Sequence, residues 1–374
     1  MKTSIYLDYA ATTPVIQCAR DTAKKYMTNY YNPSAAYSEA RAVKADIEKA
    51  RATIAKCIGA DPEEIYFTSG ATEGNNIIIQ GVLKSLGGRL VTSNIEHHSV
   101  LNLVSNTSYL LRVNMLGYVD PDDLKGAIDD TDLVSVMLLN NEIGTIQPIK
   151  QLSDIAKKSN TYIHSDITQA VGHIPVNVHE LGLDFATASG HKFGAPKGIG
   201  FMYIRKGVKI PPLVYGGGQE RGLRSGTENV PGIMSMATAL EYEINHLDEN
   251  LKHITEIQGY LRSKLESVLM EYNWTYNYPI TNHYAGNCNV CFREYRSEEI
   301  VEFLSNNMIY VSAGSACNTE SDEPSHVLKA IGLTDEEAES SIRISFGEKT
   351  TKEEIDALIT SLATYFKLRG GDDN

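Results

Sequence analysis

The sequence predicts an α/β protein: a large domain with a mainly parallel seven-stranded sheet, plus a smaller α/β domain. Three observations carry this. From about Asp61 to Arg205, short β-branched or aromatic runs alternate with helical stretches, the pattern of a parallel sheet covered by helices on both faces. After GGGQERGLRSGTENVPG the character changes to long helices and scattered strands. Finally, 374 residues suffice for two hydrophobic cores of unequal size.

Taken in order, MKTSIYLDYAATTP reads as a strand feeding a turn. It has no basic segment before an apolar core, so it does not read as a secretory signal. The first dozen residues are expected to pack with the smaller domain, giving a large domain over 14–248 and a small one over 1–13 and 249–374. The strand candidates of the large domain are IYFTSG, RLVTS, SYLLRV, LVSVMLLN, TYIHSD, DFATASG and GFMYIRK. Helices such as TEGNNIIIQGVLKSL and QLSDIAKKS lie between them. Beyond them a long helical stretch runs from about Ile233 to Tyr272, followed by WTYNYP and GNCNVCFREY as strands. Helices near Ser297–Asn307 and Lys352–Lys367 complete the chain.

Bulk properties exclude some functions. A net charge of −13 argues against a nucleic-acid surface, which needs a basic stripe. Apolar runs such as Ile77–Ile79 and Val136–Leu139 are too short to span a bilayer. Five cysteines, an odd number in a chain of this length, point to a reducing, cytoplasmic compartment and at least one free thiol.

In open α/β sheets ligands bind outside the carboxyl ends of the strands, so the chemistry is sought there. SGAT, Ser69–Thr72, follows one strand and opens a helix, whose unpaired N–H groups suit a phosphate; Thr72 could equally be a plain cap. IEHHSV puts His97 and His98 at a strand-to-helix junction, where a histidine is more often a cap or a surface residue. LLNNEIG brings Asn141, and IHSDITQ brings Asp166 and Gln169, although an aspartate there often only caps a turn. ASGHKFGAPKGIG brings Ser189, His191 and Lys192. A loop lysine is normally a solvated charge, but this one sits among small residues after a buried strand. Each feature alone is ordinary. The ordered set supplies a carboxylate for a pyridine nitrogen, a lysine for an aldehyde, a phosphate cradle and a stacking histidine, which together suit pyridoxal phosphate.

With these residues in place, the sequence resembles the cysteine desulfurases of the NifS/IscS type, class-V aminotransferase-like enzymes. The resemblance runs through YLDYAATTP, NPSAAY, DPEEIYFTSGATEGNN, IEHHSV, NNEIG, HSDITQAVG, SGHKFGAPKGIG, GGGQERGLRSGTENV, SAGSACNTESDEPSHVLKAIG and SSIRISFG. It implies the fold-type I pyridoxal-phosphate transferase fold. It also implies that Lys192 carries the cofactor, that His97 stacks on its ring and assists proton transfers, and that Asp166 pairs with the pyridine nitrogen. Asn141 and Gln169 would contact the ring hydroxyl side. Ala71, Thr72, Ser189 and His191 would hold the phosphate, with Thr227 added from the neighbouring subunit of a homodimer. Arg343 would bind the substrate carboxylate in a bidentate pair, with Asn32 also at the substrate. Cys317 would carry the sulfur as a persulfide. One departure is visible: NPSAAY has Tyr37 where the family often has histidine.

The reaction so implied converts L-cysteine to alanine and passes sulfur to an acceptor protein, such as an iron–sulfur scaffold or a thiolation enzyme. The thiolate is the nucleophile, yet an unperturbed thiol with pKa about 8.5 is mostly protonated at neutral pH, so His97 is the expected partner for that proton. The segment 312–324 around Cys317 is small, polar and acidic, and is expected to be the least ordered internal stretch. Cys18 and Cys57 read as small buried hydrophobes. Cys288 and Cys291 form a lone CxxC that reads as a strand, with half of a zinc set missing, so no metal is expected. The alternatives are a selenocysteine lyase or another fold-type I enzyme such as an aminotransferase.

Overall fold

The computed structural model describes residues 4–314 and 323–370. Strand β1 (Ile5–Tyr6) opens the chain, and helices Gln17–Thr28 and Ser38–Cys57 precede the main sheet. That sheet comprises β2 (Ile65–Thr68), β3 (Leu90–Ser93), β4 (Tyr109–Leu111), β5 (Leu133–Ser135), β6 (Tyr162–Asp166), β7 (Phe185–Ser189) and β8 (Gly200–Ile204). Each lies within one of the seven strand candidates. The order is β2-β8-β7-β6-β5-β3-β4. All pairings are parallel except those of β8, which runs antiparallel to both β2 and β7. The apolar run after β5 continues in extended form, with Val136 N–H donating to the His164 carbonyl and Leu138 N–H to that of Asp166.

Helix periodicity explains how the faces are covered. In Ile149–Lys158 the buried residues are Ile149, Leu152, Ser153 and Ala156, an i, i+3, i+4, i+7 stripe. Lys157 and Lys158 lie at its C-terminus, where cations favour the helix dipole.

The remaining strands are β9 (Trp274–Tyr276), β10 (Asn287–Phe292), β11 (Ile309–Tyr310), β12 (Ser312–Ala313) and β13 (Ser341–Ser345), in two small sheets. Four of these form an antiparallel sheet in the order β12-β13-β10-β9, while β11 pairs in parallel with β1. Leu7, just after β1, packs into the core of this second unit with Val290, Ile342, Ile344 and Phe366. The long helical stretch expected from about Ile233 to Tyr272 consists of two helices, Val230–Asn245 and Leu247–Val268. The break falls at His246, which leaves helical geometry at φ −110°, ψ 7° and stacks its ring on Tyr242 at 4.1 Å.

One close approach fixes the entrance of the helix Ala71–Leu86. Gly200 on β8 lies in register with Thr68 on one side and Ser189 on the other. A Cβ at Gly200 would stand 2.4 Å from the Ala188 carbonyl oxygen and 2.6 Å from Gly70 Cα. Only a residue without a side chain lets the Ser69–Thr72 turn settle beside Ser189. Gly200→Ala is expected to cost about 1–3 kcal/mol, the scale of core overpacking, read as a lower urea midpoint.

Candidate active site

A cavity of about 730 Å³ opens where the carboxyl ends of β6 and β7 meet the turns that follow. Its size suits a cofactor together with a small substrate. Ala71, Thr72, His97, Asn141 and Asp166 line it, with Gln169, Ser189, His191, Lys192 and Arg343. The structure thus brings ten of the sequence-predicted site residues around one space, from segments more than 270 positions apart.

Each side chain is held in place. At one end, the first N–H of the helix Ala71–Leu86 donates to Ser189 Oγ at 2.7 Å. Glu73 in the same first turn would repel an anion, but Arg224 Nε binds it at 2.6 Å and offsets its charge. His191 stands beside this end, its Nδ1 3.1 Å from Thr12 Oγ1. Burial first, then the charge of Lys192, lowers the His191 pKa to about 4, which leaves the ring neutral.

Asp166 ends β6 and is buried. Its Oδ1 accepts from Thr168 N–H at 2.9 Å and its Oδ2 from Asn75 Nδ2 at 2.9 Å. Lys192 closes the short 3₁₀ turn Gly190–Lys192, and its Nζ donates to the carbonyls of Ala10 and Ala11 at 2.7 and 2.8 Å. Gln169 Nε2 donates to the same Ala10 carbonyl at 2.9 Å. His97 caps the short helix His98–Leu101, its Nδ1 accepting from Ser99 N–H at 3.1 Å. Burial lowers the His97 pKa against the opposing pull of Asp166.

Arg343 on β13 is almost wholly buried. Nη2 donates to Asp8 Oδ1 at 2.8 Å and Ser312 Oγ at 3.2 Å, and Nη1 to the Asn141 carbonyl at 3.1 Å. Its Nε is buried with no hydrogen-bond partner among the described residues. A buried guanidinium donor without an acceptor is costly, and a carboxylate is the group that would satisfy it.

With this geometry in view, residues 5–358 match the family described as aminotransferase class-V. The chain is 46% identical over 367 residues to the cysteine desulfurase IscS of Dictyoglomus turgidum, covering 95% of this chain and 92% of that one.

The chain belongs to the class-V aminotransferase family, with the NifS/IscS-type cysteine desulfurases.

Among solved structures, a NifS-like protein superposes with a TM-score of 0.90 at 37% identity, covering 98% of this chain and all 100% of that one. A structure of SspA in complex with cysteine gives a TM-score of 0.81 at 35% identity, covering 93% and 100%. Class-V aminotransferase-like enzymes of this kind depend on pyridoxal phosphate, and the cavity fits that group. Its lining offers a hydroxyl and a helix N-terminus, a buried carboxylate and a lysine.

Other expectations fall differently. Asn32 is exposed and does not line the cavity; its Oδ1 accepts from Ser34 N–H at 2.9 Å. Thr227 is exposed and lies outside the cavity of its own chain. Cys317 and most of the loop expected to be poorly ordered lie outside the described residues. His98, given no role by the sequence, lines the cavity beside His97, and its ring lies 4.9 Å from that of His326. Cys288 and Cys291 are both buried in β10, as a strand reading requires. Burial raises the Cys288 thiol to about 11, so it is no thiolate at neutral pH.

Sequence reasoning missed Asn75, Ser99, Glu96, His164 and Asp8. A signal existed for Asn75, which falls on the buried stripe of its helix with Ala71, Gly74 and Ile78, where an amide needs a purpose. Glu96 is fully buried, and burial lifts its carboxyl to about 8 against bonds from Ser93 and the Met137 N–H. His164 is likewise buried and His173 half-buried, and burial lowers both to about 4.

These shifts set a pH profile for stability. Below the unfolded histidine value of 6.5, the unfolded chain binds protons that the folded histidines refuse, so stability falls as pH drops toward 4. Glu96 acts in the opposite sense. Its contribution is complete below the unfolded value of 4.5 and is lost as pH rises to about 8. The urea midpoint is therefore expected to peak at roughly pH 6–7, and Glu96→Gln should flatten the alkaline limb.

Proposed function

We propose that this enzyme takes sulfur from free L-cysteine, releases alanine, and carries the sulfur as a persulfide on Cys317 to an acceptor protein. The observation that carries this reading is the convergence of Lys192, Asp166, His97 and the Ser189 cradle on one cavity that also contains a buried arginine. Its likeness to cysteine desulfurases over nearly the whole chain supports the substrate.

Pyridoxal phosphate bound there would supply the electron sink for charge developing on the substrate Cα. The protein's own residues do the rest. Ala71 and Thr72 at the helix N-terminus, with Ser189 and His191, hold the phosphate. Asp166 keeps the pyridine nitrogen protonated, because a carboxylate beside it favours the charged form. Asn141 and Gln169 would contact the ring hydroxyl side. Arg343 binds the substrate carboxylate, which fixes the amino acid with its Cα toward Lys192. Lys192 anchors the cofactor and, as a free amine, moves the Cα proton. Cys317 Sγ forms a bond to the substrate sulfur as the substrate Cβ–S bond breaks, and the carbon skeleton takes up a proton and leaves as alanine.

The active species is proposed to be a homodimer. The exposure of Thr227 on the glycine-rich loop supports its reaching the phosphate site of the second copy. We further propose a cytoplasmic enzyme that serves iron–sulfur assembly or a thiolation pathway.

Two variants separate the halves of the reaction. Lys192→Ala is expected to lose the yellow absorbance of the bound cofactor and to slow alanine formation by about 10²–10⁴-fold or more, the scale of positioned proton transfer. Cys317→Ser should keep the cofactor and its spectral response to cysteine, yet release almost no alanine. Alanine output from Cys317→Ser equal to that of the parent enzyme would assign the attack to another thiol.

A further inference from the structure

Asn75 is fully buried in the helix Ala71–Leu86, and the proposed roles above make no use of it. All of its polar atoms are engaged. Nδ2 donates to Asp166 Oδ2 at 2.9 Å and to Ser99 Oγ at 2.8 Å, while Oδ1 accepts from Thr187 Oγ1 at 2.5 Å. The orientation of this amide follows from its neighbours. An ionised Asp166 can only accept, so the NH₂ side must face it.

That orientation decides what happens at His97. Because Asn75 donates to Ser99 Oγ, the serine hydroxyl is an acceptor there, and its own hydrogen is left for His97 Nδ1 at 2.8 Å. The Ser99 backbone N–H also donates to Nδ1, at 3.1 Å. Nδ1 therefore faces two donors and must keep its lone pair. The exchangeable proton of the neutral ring then sits on Nε2.

We propose that Asn75 is a positioning residue that fixes His97 as a neutral imidazole protonated on Nε2, so that His97 meets cofactor and substrate sulfur as an N–H donor. This assignment rests on the desulfurase reading for what the donor faces. Protonating the ring would set an Nδ1–H against the Ser99 N–H, two donors head to head. Burial opposes the cationic form in the same direction. A neutral imidazole held as a donor can stabilise developing negative charge without itself being an acid. The same amide grips Asp166, so the carboxylate and the histidine are set by one side chain.

The test is nitrogen NMR on the holoenzyme with ¹⁵N-labelled histidine, read without turnover, with His97 assigned by its loss in His97→Asn. The wild type at neutral pH should show a pyrrole-type Nε2 and a pyridine-type Nδ1. In Asn75→Asp the new carboxylate would draw the Ser99 hydroxyl toward itself, turning its lone pair to the ring, and a population protonated on Nδ1 should appear. If that variant does not fold, Ser99→Ala removes one of the two donors and should show both neutral forms. Both variants should lose roughly 10–100-fold in kcat/KM, the usual scale for outer-shell partners of a functional histidine. A wild-type ring protonated on Nδ1 or on both nitrogens, or variant spectra matching the wild type, would overturn the proposal. A wild type showing the Nε2 form but releasing no alanine from cysteine would fault the functional reading and leave this assignment standing.

Discussion

Two cations at the cavity, Lys192 and Arg343, have to be compensated, and one four-residue segment compensates both. Asp8 binds the Arg343 guanidinium at 2.8 Å, and the carbonyls of Ala10 and Ala11 accept from Lys192. Taking a guanidinium out of water is expensive unless it is paired and hydrogen-bonded. The segment can do this because it is fixed at both ends. Behind it, β1 pairs with β11 and Leu7 is buried in the second core. Ahead of it, Thr13 N–H donates to the His191 carbonyl at 2.9 Å, and Gly194 N–H donates to Thr13 Oγ1 at 2.8 Å. The Ala10 N–H also donates to Ser345 Oγ, two residues beyond Arg343. The start of the chain is thus a part of the site, and it ties the strand bearing Arg343 to the turn bearing Lys192.

A second buried pair lies beside the turn that opens the helix Ala71–Leu86. Arg51, over the ring of Phe67 at 4.5 Å, donates to both oxygens of Glu220 at 2.8 and 2.9 Å. Glu220 also accepts from the Phe67 N–H on β2. Glu220 and Arg221 sit at φ 47° and 56°, a left-handed conformation that side chains other than glycine, asparagine and aspartate seldom adopt. The ion pair and the bonds from Arg221 to the carbonyls of Glu63 and Ile65 hold them there. That strained turn aims the glycine-rich loop, and with it the Arg224 that offsets Glu73 at the helix N-terminus.

The fold was legible because the seven strands are short apolar runs bounded by turn residues, and hydrophobic periodicity reports burial directly. Strand β13 is not marked by its apolar pattern, since Arg343 interrupts SIRIS with a charge. The helix break at His246 carries no glycine or proline to announce it. The cavity-facing residues were legible because they follow strand ends. Their supporting residues were not: Asn75 lies mid-helix, Asp8 is remote in sequence from Arg343, and Glu96 precedes a conspicuous histidine pair. Partnership between such groups is a property of three-dimensional approach, and no local spacing encodes it. Asn32 and Thr227 show the converse, residues marked by motif that lie away from the cavity of their own chain.

The polar layer beneath the cavity has a direction, and the direction follows from donors that cannot reverse. Thr187 must donate to Asn75 Oδ1, which only accepts, so its oxygen is left to accept from His164 Nε2 at 3.3 Å. His164 is neutral, since burial lowers it to about 4, and a neutral ring with its proton on Nε2 has a lone pair on Nδ1. Ser135 Oγ, 2.8 Å away, is the group that fills it. The bonds therefore run one way from Ser135 through His164, Thr187, Asn75 and Ser99 to His97, each group after Ser135 accepting from the one before it. In a dry interior such a chain polarises along its length, and no member can turn round alone without leaving a buried donor or lone pair unmet. The last donor in the line is the His97 N–H at the cavity wall. Its orientation is thus tied through Ser99 and Asn75 to Asp166 at the cavity and to Thr187, His164 and Ser135 behind it.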